Sequence, residues 1–216
     1  VTEGSSNKYQ VFELVDPEKW VPDGYALVRV DSRGTGRSPG YIDFWSPRET
    51  QDLYDCIEWS AAQPWCNGKV GLNGISYFAM NAWQVACLEP PHLTAICAWE
   101  GAGDFYRDTI RHGGIMSMFL TTWAPRAVLR VQHGLGERGP RSAVTGEQVA
   151  GPPTLPEDEL AKNRIDIEAW ILAHPFDDAA YRARSPEWKK VKVPLLSAAN
   201  WGGMGLHPRG NFDGYV

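Results

Sequence analysis

Four short apolar runs of the chain have the length and the turn-forming boundaries of buried strands. They cover residues 25–30, 69–72, 93–99 and 194–199. A continuous apolar run between turn signals is typical of a strand that is covered on both faces. Because helical patterns lie between these runs, strands and helices alternate along the chain. This alternation predicts an α/β fold with a doubly wound, mainly parallel sheet.

Three helical patterns accompany the predicted strands. Residues 48–62 carry apolar side chains at four-residue spacing, and the pattern ends before Pro64. Residues 76–88 are apolar nearly all round, as in a helix that is buried behind a sheet. Residues 160–173 predict a third helix, with one apolar face formed by Ile165, Ala169 and Leu172.

The alternation of strands and helices stops in the middle of the chain. Residues 101–190 are too many for a single crossover helix, and they contain a loop rich in Gly, Pro and Arg at 134–156. We therefore predict a core formed by residues 1–100 and 191–216, with an inserted, mainly helical cap formed by residues 101–190.

Charge and aromatic content narrow the function classes. The net charge is -5, and no basic block or face is visible, so a nucleic-acid partner is not expected. The 10 Trp are unusual, because bulky aromatic side chains fill cores and also line apolar substrate pockets. Trp83 is the candidate pocket residue among them.

Other composition signals bear on cofactors and location. The 4 Cys show no metal-type pairing and no CxxC motif, so no metal site is expected. A reduced chain is favoured, and a disulfide between Cys56 and Cys66 stays open as the alternative. No cofactor is expected. No signal peptide or membrane-spanning run is visible, so we expect a cytoplasmic protein without a membrane partner. Val1 is not Met, and Val216 follows residues that read as the middle of an element, so both ends look truncated.

The stretch over residues 69–83 carries the clearest chemical signal. A predicted strand runs into Gly74-Ile75-Ser76, and the small residue Ala79 follows on the next helix. This order of strand, sharp turn and helix is typical of a nucleophile elbow, in which a strained turn exposes the serine hydroxyl. Phe78 stands where the usual GxSxG pattern has its last Gly. The backbone N–H of Tyr77, at the helix N-terminus, would face an oxyanion formed at Ser76.

Several further motifs give a family resemblance. A loop after a predicted strand carries Asp31-Ser-Arg33-Gly34, Ser38 and Gly40. It lacks the Lys-Ser/Thr ending of a phosphate-binding loop. Together with the other motifs, it resembles the cocaine-esterase (CocE/NonD) and X-Pro dipeptidyl-peptidase family of α/β-hydrolases. Those motifs are Asp52-x-x-Asp55-x-Ile57-Glu58-Trp59, residues 63–71, Gly74-Ile75-Ser76-Tyr77, Trp83-Gln84 and Gly103-Asp104-x-Tyr106-Arg107.

The resemblance implies a Ser-His-Asp triad under a helical cap, with Ser76 as nucleophile and the Tyr77 N–H as one oxyanion donor. The second donor of the family, a Tyr hydroxyl, would lie upstream of Val1. The family's acid follows the strand that corresponds to 193–199, but Gly203 stands at that position. The family's histidine would lie beyond Val216, so the triad His is expected outside this chain.

Residues within the chain offer weaker substitutes for the missing groups. Asp104 is the candidate acid, because it follows the predicted strand over 93–99, and Glu100 is closer still to that strand. A salt bridge between Asp104 and Arg107 is the competing interpretation, and Asp213 is a further candidate. None of the five histidines is expected to reach Ser76, and His207 comes nearest to a suitable place. The others are His92, His112, His133 and His174.

The sequence therefore predicts a serine hydrolase that cleaves a small-molecule ester or amide with an apolar or aromatic acyl part, through an acyl-enzyme. A non-catalytic protein of the same fold and an acyltransferase on the same scaffold stay open as alternatives. A homo-oligomer is compatible with the sequence. Residues 1–216 alone are expected to be inactive, since the base and the second oxyanion donor would be missing.

Overall fold

The computed structural model describes residues 3–203 and 205–216, and its centre is a parallel sheet. The strands are β1 (Val70–Ile75), β2 (Leu93–Trp99), β3 (Arg111–His112), β4 (Ile115–Met116) and β5 (Leu195–Ala198). The parallel sheet has the order β1-β2-β5, and β3 and β4 form a separate antiparallel pair. The predicted α/β class with a parallel sheet is confirmed.

Helices fill the connections between the strands. They are α1 (Pro17–Trp20), α2 (Pro47–Ala61), α3 (Tyr77–Ala86), α4 (Phe119–Ala127), α5 (Glu157–Lys162), α6 (Ile167–Ala173), α7 (Ala179–Arg182) and α8 (Pro208–Asp213), with a π-helix at Phe105–Ile110. The segment between β2 and β5 contains α4 to α7, the π-helix and the β3–β4 pair. Across residues 3–203 and 205–216, no helix has the length and apolar character that crossing a membrane requires.

Helix α2 follows the predicted pattern closely. It begins with Pro47 in the first turn, where the missing N–H costs nothing. The Ser46 side chain caps it by accepting a hydrogen bond from the Glu49 N–H at 3.2 Å. Ile57 is buried on its inner face. The helix runs beside the sheet, and Arg33 from the preceding loop forms a two-point ion pair with Asp52 at 2.7 Å.

The strand expected at residues 25–30 is wrong for this structure. The segment is outside every strand, and Val28 and Val30 remain exposed. A strand needs a neighbouring backbone to complete its hydrogen bonds, and the strand that pairs with β1 is β2. Arg29 instead fixes the segment by donating to the carbonyl oxygens of Tyr9 and Val15, both at 3.1 Å. An apolar run shows that a segment suits burial, but it does not supply the partner.

The single helix expected at residues 160–173 is also wrong, because the structure divides it into α5 and α6. At the break, Ile42 donates to the Asn163 carbonyl at 3.0 Å and accepts from the Ile165 N–H at 2.8 Å. These two bonds replace helical ones. Asp166 then caps α6 by accepting from the Ala169 N–H. The buried side chain on α6 is Ile171, whereas Leu172 is exposed.

Two apolar clusters stabilise the fold. The first packs α2 and α3 against the sheet, and its buried members include Ile57, Ala79, Trp83, Val85 and Ile96. The second joins residues 42–45 and Met80 to buried side chains of the inserted segment, namely Ala102, Phe105, Ile110, Leu120, Ala124, Ile171 and Tyr181. Residues 101–190 therefore share a core with the N-terminal part, and their boundaries as a cap stay a prediction.

Trp83 provides a test of the first cluster. Its side chain is fully buried and packs edge-to-face on Trp188, with ring centroids 5.0 Å apart. We expect Trp83→Ala to lower the free energy of unfolding by about 3–5 kcal/mol, because a large core side chain is lost. Urea denaturation measures the change. The matched control is Trp65→Ala, since Trp65 is 51% exposed and its removal should cost far less. Equal losses in the two variants would contradict this role.

Candidate active site

The parallel register brings two chain segments together at the carboxyl edge of the sheet. Ile75 pairs with Trp99, which in turn pairs with Ala198. Two hydrogen bonds extend this ladder beyond the strand ends. The Ser76 N–H donates to the Trp99 carbonyl at 2.9 Å, and the Glu100 N–H donates to the Ala198 carbonyl at 2.8 Å. Ser76 and Glu100 therefore lie at the same edge, where open α/β sheets bind their ligands.

Ser76 occupies a strained turn between β1 and α3. Its backbone angles are φ 58° and ψ -110°, outside the regions that L-residues favour, and α3 begins at the next residue. The turn needs a glycine at position 74, because a Cβ there would lie 2.3 Å from the Cβ of Phe78. The strained serine predicted from the elbow pattern is confirmed. The second small position is also filled as expected, since Ala79 is fully buried under the turn.

His207 is the histidine that approaches Ser76. Its Nε2 lies 3.0 Å from the Ser76 Oγ. This differs from the expectation that no histidine of the chain would reach the serine. The reason lies in the loop after β5, which folds back through a 3-10 turn at Trp201–Gly203. The His207 N–H donates to the Gly203 carbonyl at 3.0 Å, which places His207 just before α8.

The other histidines are held elsewhere. His92 contacts Glu58 at 2.6 Å, and His174 contacts Asp178 at the same distance. His112 and His133 approach the backbone carbonyl oxygens of Asp108 and Gly36. The position of His207 in the sequence only weakly indicated that it would contact Ser76. The fold of the loop after β5 decides which histidine reaches the edge of the sheet.

Glu100 faces the second nitrogen of the His207 ring. Its Oε2 lies 3.5 Å from the His207 Nδ1, and both side chains are mostly buried, at 19% and 18% exposure. Glu100 also has a positive φ of 55°, which is a rare angle for a residue with a side chain. Burial lowers the pKa of His207, whereas the Glu100 carboxylate acts in the opposite direction. The lowered pKa favours the neutral imidazole.

The candidate acids from the sequence lie in other contacts. The Asp104 carboxylate caps the π-helix through the Arg107 N–H at 2.7 Å and pairs with the Arg107 guanidinium at 2.6 Å. It also lies 3.5 Å from Arg209. Asp213 contacts Arg209 at 3.4 Å. The carboxylate that faces His207 is thus that of Glu100.

Trp83, which was expected to line a pocket, is instead a fully buried core residue of α3.

Tyr77 is fixed from two sides. Its carbonyl accepts a hydrogen bond from the Trp45 indole at 3.3 Å, and its hydroxyl donates to Glu49 at 2.8 Å. Its ring stacks on Trp45, with centroids 4.1 Å apart. Because Tyr77 is the first residue of α3, its backbone N–H has no acceptor within the helix. This N–H is positioned rigidly beside Ser76, in line with its predicted part as an oxyanion donor.

The role of Glu49 was not apparent from the sequence. Its carboxylate accepts from the Tyr77 hydroxyl and, at 2.8 Å, from the Trp45 N–H. Burial raises the pKa of Glu49 to about 7, although the hydrogen bonds from Tyr77 and Trp45 act against that rise. A glutamate in the first turn of a helix is usually explained by its favourable interaction with the helix dipole. Nothing in the neighbouring sequence indicates that Glu49 contacts Tyr77.

A cavity of about 360 Å³ opens beside the start of α3. Tyr77 and Phe78 contribute to its wall, and its charged lining comes from Glu13, Arg33, Asp43, Arg48 and Glu49. Its apolar lining comes from Phe12, Ile42, Trp123, Ala127, Val128 and Val131.

Among the residues that the structure describes, no group of His, Cys, Asp and Glu side chains is arranged to hold a metal ion.

The raised pKa of Glu49 predicts a pH-dependent stability. Between pH 4.5 and about 7 the folded state binds this proton more tightly than the unfolded state, so stability falls as the pH rises through that range. Glu49→Gln should remove this decline, which amounts to at most about 3 kcal/mol. Chemical denaturation between pH 5 and 8 measures it. Glu58→Gln, on the same helix beside His92, is the control and should keep the decline. An identical decline in Glu49→Gln would contradict the assignment.

Comparison with known proteins places this site in a family. The family model described as X-Pro dipeptidyl-peptidase (S15 family) matches residues 3–215. The cocaine esterase of Rhodococcus sp. (strain MB1 Bresler) is 36% identical over 92% of this chain and 35% of its own length. A putative serine esterase of Mycobacterium bovis is 36% identical over 49% of this chain and 17% of its own length.

A solved structure agrees with these sequence matches. The crystal structure of a CocE/NonD family hydrolase from Staphylococcus aureus is 36% identical, with a TM-score of 0.77 over 96% of this chain and 33% of the other. The chain thus spans about a third of the length of the cocaine esterase and of this hydrolase. Through the match over residues 3–215, the strained Ser76 and the shared fold, the chain belongs to the CocE/NonD and X-Pro dipeptidyl-peptidase (S15) family of α/β-hydrolases.

Proposed function

We propose that this protein is a serine hydrolase that cleaves an ester or an amide through an acyl-enzyme on Ser76, with His207 as the general base. The observation that carries the proposal is the 3.0 Å contact between the Ser76 Oγ and the His207 Nε2. A serine hydroxyl is a weak nucleophile until an adjacent base accepts its proton, and this distance is within hydrogen-bond reach. The strained backbone of Ser76 supports the same role.

In the first half-reaction, the Ser76 Oγ attacks the substrate carbonyl carbon while its proton moves to the His207 Nε2. The tetrahedral intermediate then collapses. The bond to the leaving alcohol or amine breaks, and His207 returns the proton to that group. In the second half-reaction, water attacks the acyl-enzyme, and its proton passes through His207 to the Ser76 Oγ. The products are the carboxylic acid and the regenerated serine.

The start of α3 supports stabilisation of the oxyanion. The Tyr77 N–H carries a partial positive charge at the helix N-terminus, and the negative oxygen forms next to it. Because Trp45 and Glu49 hold the Tyr77 carbonyl and hydroxyl, this N–H needs little reorganisation during the reaction. Preorganised donors of this kind contribute about 10²–10³ in rate each.

Relatives bear on the reaction type. The matches include a cocaine esterase, putative serine esterases and a putative Xaa-Pro dipeptidyl-peptidase of Streptomyces avermitilis, 26% identical over 77% of this chain and 27% of its own length. The higher identity to esterases favours an ester as the substrate. The cavity beside α3, with Ile42, Trp123 and Val128 in its wall, favours an apolar or aromatic acyl group.

Three alternatives predict different outcomes. A base from outside residues 1–216 would leave His207 dispensable. A non-catalytic protein would not react with a fluorophosphonate probe, whereas a hydrolase or an acyltransferase would be labelled on Ser76. An acyltransferase would pass the acyl group to an added alcohol in preference to water, which product analysis detects. That the protein is cytoplasmic and that it forms homo-oligomers stay predictions. The inactivity of residues 1–216 alone also stays a prediction, but with His207 as the proposed base it rests on the second oxyanion donor alone.

The first test uses the protein at its natural length. Ser76→Ala should abolish fluorophosphonate labelling and reduce the turnover of nitrophenyl acetate by more than about a hundredfold, because the nucleophile has no substitute. His207→Ala should reduce turnover to a similar extent. His92→Ala is the control, since His92 contacts Glu58 away from the site, and it should retain activity. Full activity of His207→Ala with none in Ser76→Ala would assign the base to another histidine.

The second test concerns the acyl group. Trp123 lines the cavity and stacks on Tyr77, with ring centroids 5.9 Å apart. Trp123→Ala should lower kcat/KM for benzoyl esters by about tenfold or more, relative to acetyl esters, since an apolar contact of this size is worth about 1–3 kcal/mol. Initial rates with the two nitrophenyl esters measure the ratio. Trp59→Ala, at an exposed site on α2, should leave the ratio unchanged. An unchanged ratio in Trp123→Ala would exclude the cavity as the acyl site.

A further inference from the structure

The Glu100 carboxylate occupies the space that a side chain at position 203 would need. A Cβ built on Gly203 would lie 2.4 Å from the Glu100 Oε2 and 3.5 Å from the His207 Nδ1. The first distance is shorter than real Cβ contacts, so a side chain at 203 would force the carboxylate end of Glu100 to move from its place beside His207. The second distance shows that position 203 is adjacent to the same imidazole nitrogen that Glu100 faces.

The backbone of Gly203 does not itself require glycine. Its φ lies outside the left-handed region, where an L side chain would be strained. Its N–H donates to the Asn200 carbonyl at 2.9 Å, as any residue could. The missing side chain at 203 leaves the Glu100 carboxylate undisturbed beside the His207 Nδ1. By contrast, Glu100 keeps a positive φ of 55°, at the point where its own N–H is bonded to Ala198. That strained angle is maintained by the surrounding structure.

We propose that Glu100 is the carboxylate that positions His207, and that Gly203 is the residue whose missing side chain makes this possible. Glu100 holds the imidazole in the tautomer with its proton on Nδ1, which leaves the Nε2 free to accept the proton of Ser76. It also stabilises the imidazolium that forms when Ser76 attacks. The inference rests on the proposed hydrolase function. It adds to that function the identity of the carboxylate that acts together with Ser76 and His207.

The charged groups near His207 support this assignment. Glu100 is the carboxylate within 4.0 Å of the ring among the described residues, and Asp108 acts from further away. Asp108 is already neutralised, since Arg209 donates to it at 2.6 Å and it accepts from the N–H groups of Gly103 and Asp104 at 2.9 Å. Asp104 is paired with Arg107 and Arg209. The negative charge that remains for the imidazole is that of Glu100.

The first experiment replaces the charge and keeps the shape, in the protein at its natural length. Glu100→Gln should lower kcat by about 10²–10⁴-fold, as loss of a positioning carboxylate does in related triads. Because the carboxylate raises the pKa of His207, its loss should also move the acidic limb of the kcat/KM profile to lower pH. A purely structural role of Glu100 would not move that limb. Asp213→Asn, near Arg209 but away from the ring, is the control and should leave the limb in place.

The second experiment moves the carboxylate to the other side of the imidazole. Gly203→Asp alone should lower activity, because the new side chain displaces the Glu100 carboxylate and two like charges then compete for one place beside the imidazole. In the Glu100→Ala background the same substitution should raise activity by at least tenfold, since an aspartate at 203 reaches the His207 Nδ1. Gly205→Asp is the matched control. A Cβ at Gly205 would meet nothing within 4 Å, so it should be tolerated in both backgrounds and restore activity in neither.

The outcomes separate this inference from the proposed function. No fluorophosphonate labelling and no ester turnover by the wild-type protein would refute the hydrolase function itself. An active wild type that depends on Ser76 and His207, together with an unchanged kcat and pH profile in Glu100→Gln, would overturn the role of Glu100 alone. If Gly203→Asp lowers the unfolding midpoint so far that the double variant is not folded, the Glu100→Gln pH profile decides the question.

Discussion

The site depends on the hydrogen-bonded register between β1, β2 and β5. A shift of one residue between β1 and β2 would turn the side chains of one strand to the opposite face. The register is fixed by the pairing of Ile75 with Trp99 and of Trp99 with Ala198, and it continues into the Ser76 and Glu100 N–H groups. The two strained residues of the site are therefore held by the same ladder that holds the core. Their strain is tolerated because moving either one would break a ladder bond at the end of its strand.

Packing beneath the sheet edge limits what can change there. Gly101 directly follows Glu100, and a Cβ on it would lie 2.4 Å from the Trp83 ring and 3.0 Å from the Ala79 Cβ. The chain that follows β2 thus packs against α3, behind Ser76. On the other side, Trp45 and Glu49 hold Tyr77. Ser76 therefore lies between packed side chains on one side and the hydrogen-bonded Tyr77 on the other, and this rigid surrounding holds its Oγ 3.0 Å from the His207 Nε2.

The parts of this structure that the sequence predicted are those determined by local pattern. The strands β1, β2 and β5 and the helices α2 and α3 follow from apolar runs, from periodicity and from Pro64 as a boundary. The strained turn at Ser76 follows from Gly74 and the strand-to-helix order. Each signal is contained within about fifteen residues, and the core then selects the element that the pattern already favours.

The parts that escaped prediction depend on distant partners. Residues 25–30 have the composition of a strand, but composition cannot show which backbone pairs with it. The break between α5 and α6 arises from hydrogen bonds to Ile42, more than a hundred residues earlier in the chain. His207 reaches Ser76 because the loop after β5 folds back, and the spacing of histidines in the sequence does not encode that fold. Glu49 contacts Tyr77 only because α2 packs beside the start of α3.

Under the proposed role of Glu100, the same separation allows the acid to leave the chain position that the family resemblance implies without leaving the site. The Nδ1 of a catalytic histidine needs a carboxylate at one point in space, and in a parallel sheet several strand ends meet near that point. Here the loop after β5 supplies Gly203, and the end of β2 supplies Glu100. Burial lowers the pKa of His207 because it disfavours the charged ring, and the Glu100 carboxylate opposes this by favouring the imidazolium. A positioning carboxylate must lie close enough to the ring to have this effect. Yet His207 must remain neutral at rest to accept the proton of Ser76. The proposed role of Glu100 meets both requirements with a carboxylate 3.5 Å from the ring nitrogen, at the edge of a partly buried site.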